Sequence, residues 1–228
     1  IIAHDLRGPL SSLHELTQLI EENLDSYSQD DLKELIVFQK TAAEILYKLL
    51  ENLLTWSRVQ RGMIVYQPQH IDIKWLVDRA VDLLNMQAEG KQITLKNLIH
   101  EQIFIYADVN MVDTVLRNLI SNALKFTYVG GTVEISAHQD DHSIEVSVSD
   151  TGVGIEEKDL PKLFRIDTKY KRTGTAQEEG TGLGLILCKE FIERHRGEIW
   201  VESQVGKGTV FRFTIPKNLK EPDEEDYM

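Results

Sequence analysis

The fold of this 228-residue chain is decided by one stretch, Ser143-Ile144-Glu145-Val146-Ser147-Val148-Ser149-Asp150-Thr151-Gly152-Val153-Gly154. Apolar residues stand at every second position from Ile144 to Val148. This alternation predicts a strand with one buried face and one solvated face. A carboxylate and two glycines follow at the predicted strand end, so the same stretch also predicts a place where a ligand approaches the backbone.

The pattern repeats on both sides of this stretch. Strand-like runs are predicted near residues 93–98, 103–106, 133–137, 199–202 and 210–215, and helical patterns near residues 72–88, 109–125 and 183–196. Gly206-Lys207-Gly208 reads as a hairpin turn between the last two strands. Strict alternation predicts a mainly antiparallel sheet covered by helices on one side, a two-layer α/β sandwich.

The first 62 residues follow a different, helical pattern. Ser28, followed three residues later by Asp31, predicts the start of a second helix, and Gly62 ends it. That helix carries apolar residues in two heptad registers: Leu32, Gln39, Leu46 and Leu53, and Leu35, Ala42, Leu49 and Trp56. A helical hairpin needs another layer to cover this stripe, so we expect a homodimer with a four-helix bundle. Packing onto the downstream domain is the alternative.

The predicted fold class is therefore α+β. Residues 1–62 form the helical hairpin, residues 63–216 form the sandwich, and residues 217–228 form a loose acidic tail. A net charge of −12 argues against a nucleic-acid surface, because phosphate binding needs a basic field. A single cysteine is typical of a reducing compartment, so a cytoplasmic location is expected. The chain starts without methionine, and we expect any sensor or membrane segment upstream.

The predicted helix near residues 109–125 carries three polar side chains on one face. Asn118, Asn122 and Lys125 are four and three residues apart, which places them on the same side of a helix. The apolar neighbours Leu119 and Ala123 indicate a buried helix, where asparagine is disfavoured without a specific role. An amide oxygen suits Mg²⁺, which takes further oxygens from water and phosphates. A solvated polar face is the alternative.

Two glycine-containing motifs accompany this helix. Asp150, beside Gly152 and Gly154, suits a ligand with an exocyclic amino group such as adenine, and too few acids stand nearby for a calcium loop. A predicted helix N-terminus that favours phosphate carries three further glycines: Gly180, Gly182 and Gly184. The charged segment 165–179 between the motifs is expected either to close over an anionic nucleotide or to stay a solvated loop.

Near the N-terminus, His4-Asp5 stands shortly before Gly8-Pro9. An unperturbed imidazole has a pKa of about 6.5, so one ring nitrogen is free to attack while the other donates to the carboxylate. Gly8 and Pro9 predict a bend in the helix next to this pair. The pattern favours a phosphoacceptor histidine. A surface His-Asp pair is the alternative.

Four motifs follow one another along the chain: HDLRGPL at residues 4–10, NLISNALKF at 118–126, DTGVG at 150–154 and GTGLG at 180–184. They resemble the phosphoacceptor box, the asparagine box and the two glycine boxes of sensor histidine kinases of two-component systems. The resemblance covers nearly the whole chain. Residues 1–62 resemble the dimerization and histidine-phosphotransfer domain, and residues from about 68 to 216 resemble the Bergerat-type ATP-binding catalytic domain.

The resemblance implies an enzyme, a protein histidine kinase that uses ATP and magnesium and passes a phosphoryl group to a response regulator receiver domain. His4 would be phosphorylated and Asp5 would orient it. Asn122 would bind Mg²⁺, with Asn118 and Lys125 near the phosphates, and Asp150 would read adenine. Gly152 and Gly154 would line the base pocket, Gly180, Gly182 and Gly184 would form the hinge and floor of the nucleotide lid, and Arg165 would reach the γ-phosphate.

Two rival functions stay open at this level. One is a dimeric ATP-gated scaffold without kinase activity, against which the presence of both His4 and Asp5 speaks. The other is an ATPase of the same fold, which needs a general base. The neighbours of Asn118 are Arg117 and Leu119, so no glutamate stands there. Related kinases commonly have threonine or asparagine where this chain has Gly8, which predicts weak phosphatase activity toward the regulator.

Overall fold

The computed structural model describes residues 2–24, 26–165, 172–176, 178 and 182–217, with the backbone alone for residues 2–5 and 7. Its helices are α1 (Ile2–Glu22), α2 (Gln29–Gln60), α3 (Ile73–Gly90), α4 (Val109–Phe126) and α5 (Gly184–Arg194). Its strands are β1 (Pro68–Asp72), β2 (Thr94–Asn97), β3 (Phe104–Asp108), β4 (Thr132–Gln139), β5 (Ser143–Asp150), β6 (Ile199–Gln204) and β7 (Gly208–Pro216).

The N-terminal part is the predicted helical hairpin. The Ser28 Oγ accepts the backbone N–H of Asp31, and the Asp31 carboxylate accepts the backbone N–H of Ser28, so the expected cap of α2 is a complete capping box. Ala42 and Leu49 of the predicted heptad seam are buried, whereas Ile36 and Phe38 are more than half exposed. The hairpin therefore leaves apolar surface uncovered by its own chain.

The C-terminal part is the predicted two-layer sandwich. Its five-stranded sheet has the order β2-β4-β5-β7-β6, with β2 and β4 parallel and every other neighbour antiparallel. The alternating residues Val146 and Val148 lie in one core with Leu116 and Leu119 of α4. The opposite face carries polar pairs such as Arg212 with Glu145. The predicted alternation and fold class are confirmed.

Two short elements complete the domain. The stretch around Pro68 is an edge strand, β1, which pairs with β3 in a separate two-stranded sheet. A 3-10 helix at Glu157–Lys162 was not predicted. It contains Pro161 and has no side-chain cap, so it lacked the helical periodicity and capping signals on which the prediction depended.

The hairpin packs against the sandwich through its C-terminal half. Leu49 of α2 forms a buried cluster with Leu183 and Ile186 at the start of α5, and Leu6, Leu53 and Trp56 pack against it. At the C-terminal ends of α2 and α5, the guanidinium of Arg194 donates to the carbonyls of Val59 and Ile64, each at 2.9 Å. This is the contact that the sequence left open as the alternative to a dimer.

Among the described residues, no helix combines the length and apolar character needed to cross a membrane. From residue 218 onward, the predicted acidic tail lies outside the described residues.

Candidate functional site

A cavity of about 360 Å³ opens between α4, the ends of β5 and β7, the start of α5 and the middle of α2. It is lined by seven residues that the sequence singled out: Asn118, Asn122, Lys125, Asp150, Gly154, Gly182 and Gly184. Three separate motifs therefore meet at one place. The cavity lies over the buried core that joins α4 to the sheet, so its walls stand on regular structure.

Helix α4 presents the two asparagines to this cavity. The helix begins at a buried cap, Asp108, whose carboxylate accepts two backbone N–H groups of the first turn. The Nδ2 of Asn118 donates to the Thr114 carbonyl at 3.0 Å, so its orientation is fixed. The side chain of Asn122 makes no hydrogen bond with any described residue. Its amide is therefore open to a ligand in the cavity.

Lys125 supplies positive charge from the last turn of the same helix. It is buried, and its ammonium nitrogen lies 4.8 Å from the centroid of the Phe126 ring. Arg172 and Glu178 also line the cavity. The guanidinium of Arg172 donates to the Gly154 carbonyl at 2.7 Å. Lys125 and Arg172 thus place positive charge beside a cavity that the Asp150 carboxylate also lines.

Asp150 is a buried carboxylate at the end of β5. Its Oδ1 accepts the backbone N–H of Gly152 at 2.8 Å and that of Thr209 at 3.2 Å. Its Oδ2 makes no hydrogen bond with the described part of the chain. Burial raises the pKa of Asp150 to about 6, although the two backbone hydrogen bonds act in the opposite direction. The group is an acceptor for a donor in the cavity, and it is ionised above that pH.

The two glycines after Asp150 are required by close backbone contacts. A Cβ on Gly152 would overlap the Phe126 carbonyl, and a Cβ on Gly154, at a φ of +68°, would overlap the Gln204 carbonyl. Gly154 lines the cavity, whereas Gly152 is not among the lining residues. Gly152 acts on the cavity through the N–H that it donates to Asp150.

Several lining residues had no clear signal in the sequence. Thr209 faces Asp150 across the β5–β7 pair, a register that the separate strand patterns did not reveal. Helix α2 contributes one stretch to the wall: Thr41, Glu44, Ile45 and Lys48. None of these four residues belongs to either predicted heptad register, so the sequence pattern assigned them no role. Since the hairpin docks on the sandwich, the same helix also borders the cavity.

Other predicted site residues stand apart from the cavity or cannot be described. Arg165 is exposed and is not among the lining residues. Gly180 lies outside the described residues. His4 and Asp5 belong to the first turns of α1, but their side chains lie outside the described part. Leu6, two residues after His4, packs against the cluster that contains Leu183, next to the lining residues Gly182 and Gly184.

Comparison with known proteins agrees with this geometry. Residues 107–219 match the family of histidine kinase-, DNA gyrase B- and HSP90-like ATPases. The chain is 30% identical to the sensor histidine kinase WalK of Bacillus subtilis over 99% of its own length and 37% of that protein. It is 31% identical to the adaptive-response sensory kinase SasA of Thermosynechococcus vestitus, over 95% of this chain and 58% of that protein. The chain thus spans between about a third and three-fifths of these relatives.

Comparison with solved structures also finds a histidine kinase. The crystal structure of the histidine kinase ThkA, in complex with the response regulator protein TrrA, superimposes with a TM-score of 0.77. The match covers 95% of this chain and 60% of that one, at 24% sequence identity. That identity supports the shared fold alone. Together with the sequence relatives and the matched ATPase region, these findings show that the chain belongs to the sensor histidine kinases.

Proposed function

We propose that this chain is the kinase region of a protein histidine kinase, which transfers the γ-phosphoryl group of ATP to His4 and then to an aspartate of a response regulator. One observation carries the proposal. A cavity with a buried carboxylate, an unpaired amide and a lysine lies next to the cluster of Leu49, Leu183 and Ile186, against which Leu6 of α1 packs. The proposed nucleotide site and the helix that carries His4 are therefore neighbours within one chain.

The walls of the cavity divide naturally between the two ends of a nucleotide. Asp150 offers Oδ2 to an exocyclic amino group, while Oδ1 stays bound to the backbone of Gly152 and Thr209. Lys125 and Arg172 offer positive charge to the phosphates. Asn118 and Gly184 lie against each other, because a Cβ on Gly184 would come within 2.8 Å of the Asn118 Oδ1. This contact fixes the start of α5 at the wall of the cavity.

Magnesium is part of the proposal, and the donor set fits it. The amide oxygen of Asn122 has no competing hydrogen bond in the described part of the chain. Within the same residues, no group of three or more His, Cys, Asp or Glu side chains could hold a metal ion by itself. Mg²⁺ typically binds through one or two protein oxygens and the phosphates of its substrate. Asn122 would hold the ion, which, when bound, would neutralise phosphate charge.

The chemistry at the acceptor is a nucleophilic substitution at phosphorus. A neutral ring nitrogen of His4 forms the bond to the γ-phosphorus, the bond to the bridging oxygen of the β-phosphate breaks, and ADP leaves. Asp5 accepts a hydrogen bond from the N–H of the other ring nitrogen, and its negative charge stabilises the positive charge that develops on the ring. An aspartate oxygen of the regulator then attacks the phosphorus, which restores His4.

The proposal includes a homodimer, a regulator partner and a cytoplasmic location. A second copy is supported by exposed apolar side chains on α2, among them Ile36, Val37, Phe38 and Leu54. The response regulator is supported by ThkA, whose structure contains one. The cytoplasmic location is supported by the free, buried thiol of Cys188, which suits a reducing compartment.

A single experiment separates this function from its two rivals. The protein is incubated with γ-labelled ATP and the product is then treated with acid. Acid-labile label on the protein supports the kinase, because phosphohistidine is hydrolysed in acid. Free phosphate without protein-bound label indicates an ATPase, and unchanged ATP indicates a scaffold that only binds nucleotide.

A further inference from the structure

Lys91, directly after α3, has its side chain at the C-terminal end of α4, although it does not line the cavity. Its side chain is 12% exposed. The ammonium group donates to the carbonyls of Leu124 at 2.8 Å and Lys125 at 3.1 Å, to the Thr175 Oγ1 at 2.9 Å and to the Glu178 Oε1 at 2.8 Å. An ammonium has three protons, so these four acceptors use its whole donor capacity.

Two of these acceptors belong to the last turn of α4. Carbonyls at the end of a helix lack intrahelical partners, and a cation there also interacts favourably with the helix dipole. Lys91 therefore caps the turn that carries Lys125, a lining residue of the cavity. Without this cap, the buried carbonyls of the turn would lose a charged donor.

The other two acceptors belong to the segment that borders the cavity after the 3-10 helix. The Thr175 N–H donates to the Lys125 carbonyl at 3.0 Å, and its hydroxyl donates to the Thr127 carbonyl at 2.8 Å. Glu178, the ion-pair partner of Lys91, lines the cavity itself. The same ammonium thus joins the end of α4 to this segment.

We propose that Lys91 is a positioning residue of the nucleotide site, which holds Lys125 and Glu178 at the phosphate-binding wall. This inference rests on the proposed nucleotide binding. It predicts an effect on one end of the nucleotide only. Asp150 is held by backbone hydrogen bonds from Gly152 and Thr209, and neither residue is among the hydrogen-bond partners of the Lys91 ammonium in the described structure. Loss of Lys91 therefore weakens phosphate binding and leaves the adenine contact in place.

The test compares ATP with adenosine, which lacks the phosphates. Lys91→Met keeps the length of the side chain and removes its charge. We expect its affinity for ATP, measured by calorimetry, to fall about tenfold, and its affinity for adenosine, measured by competition, to stay within about twofold. Lys91→Arg, which keeps donors for the carbonyls, is expected to recover part of the ATP affinity.

Two further variants make the result specific. Lys96→Met removes a lysine that is paired with Glu134 on the surface, and it should change neither affinity. Thr175→Val removes a hydroxyl that joins the segment to Lys91, and it should weaken ATP binding in the same direction as Lys91→Met. It keeps the inference testable if Lys91→Met does not fold.

The inference is overturned if the Lys91 or Thr175 variants bind ATP as the wild type does, or if ATP and adenosine affinities fall by the same factor. These outcomes are distinguishable from failure of the proposed function. Wild-type protein that binds ATP without phosphorylating itself would refute the kinase proposal. The ATP and adenosine affinities of the Lys91 variants could still be compared in that case. Wild-type protein that does not bind ATP would refute both.

Discussion

Asp150→Asn should make the protein more stable and weaken its nucleotide binding. The Asp150 Oδ1 accepts two backbone N–H groups, so the Asn oxygen must take this place and its NH₂ group must take the place of Oδ2. The variant then presents a donor where the wild type presents an acceptor. An amino group of adenine would meet a second donor, and we expect ATP affinity to fall by a factor of about ten to a hundred.

The gain in stability follows from the pKa of Asp150. Burial raises this pKa from its ordinary value of 3.8 to about 6, so above both values the charged group costs the folded state about 3 kcal/mol. The folded state binds the proton more tightly, so this penalty is absent well below pH 3.8 and grows as the pH rises toward 6. Asparagine carries no charge and avoids the penalty at every pH.

The assay is urea unfolding of both proteins at two pH values. The free energy of unfolding of Asp150→Asn minus that of the wild type should be larger at about pH 8 than at about pH 4.5, by about 2 kcal/mol. Taking this difference cancels the contributions of the other carboxyl groups. A relative stability that does not change with pH would refute the assignment of the raised pKa to Asp150.

Asp140→Asn is a matched control on the same domain. Backbone hydrogen bonds from His142 and Ser143 lower the pKa of Asp140, so its charged form is the favoured one. The stability that this carboxylate contributes is lost only as the pH falls below 3.8. Between about pH 4.5 and about pH 8, the control should therefore keep a nearly constant difference from wild type.

Three further substitutions test other parts of the site. Asn122→Ala should weaken Mg-ATP binding about tenfold in calorimetry and metal-free ATP binding less, since the amide oxygen would serve the ion; equal losses would contradict this role. Gly152→Ala should lower the free energy of unfolding by more than about 2 kcal/mol, because its Cβ overlaps the Phe126 carbonyl, whereas Gly90→Ala, with open space around it, should not destabilise. Gly8→Thr should speed dephosphorylation of the phosphorylated regulator in a phosphate-release assay, because related kinases commonly have a hydrogen-bonding side chain there. Fast regulator dephosphorylation by the wild type would argue against that reasoning.

Local patterns sufficed for most of the fold. The alternation from Ile144 to Val148 predicted β5 and its buried face, and the Ser28–Asp31 pair predicted the start of α2. The spacing of Asn118 and Asn122 predicted one helix face, because helical geometry relates residues four apart without reference to the rest of the chain. Each of these features depends on neighbours in sequence.

Contacts between distant segments could not be predicted in this way. Thr209 supports Asp150 through a strand register, and Lys91 reaches Glu178, 87 residues away. The docking of Leu49 on Leu183 competes with a dimer for the same kind of apolar stripe, and the heptad pattern is compatible with both. The heptad pattern alone cannot decide whether α2 packs against the sandwich of its own chain or against a second copy, because both offer apolar surface.

The central claim, phosphorylation of His4, is tested most directly by locating the phosphoryl group. Wild type and His4→Gln are incubated with Mg-ATP and analysed by mass spectrometry under alkaline conditions, which preserve phosphohistidine. The account predicts one phosphoryl group on His4 in the wild type and none in His4→Gln, with ATP affinity unchanged in calorimetry. A phosphoryl group that persists in His4→Gln, or one located on another residue of the wild type, would contradict it.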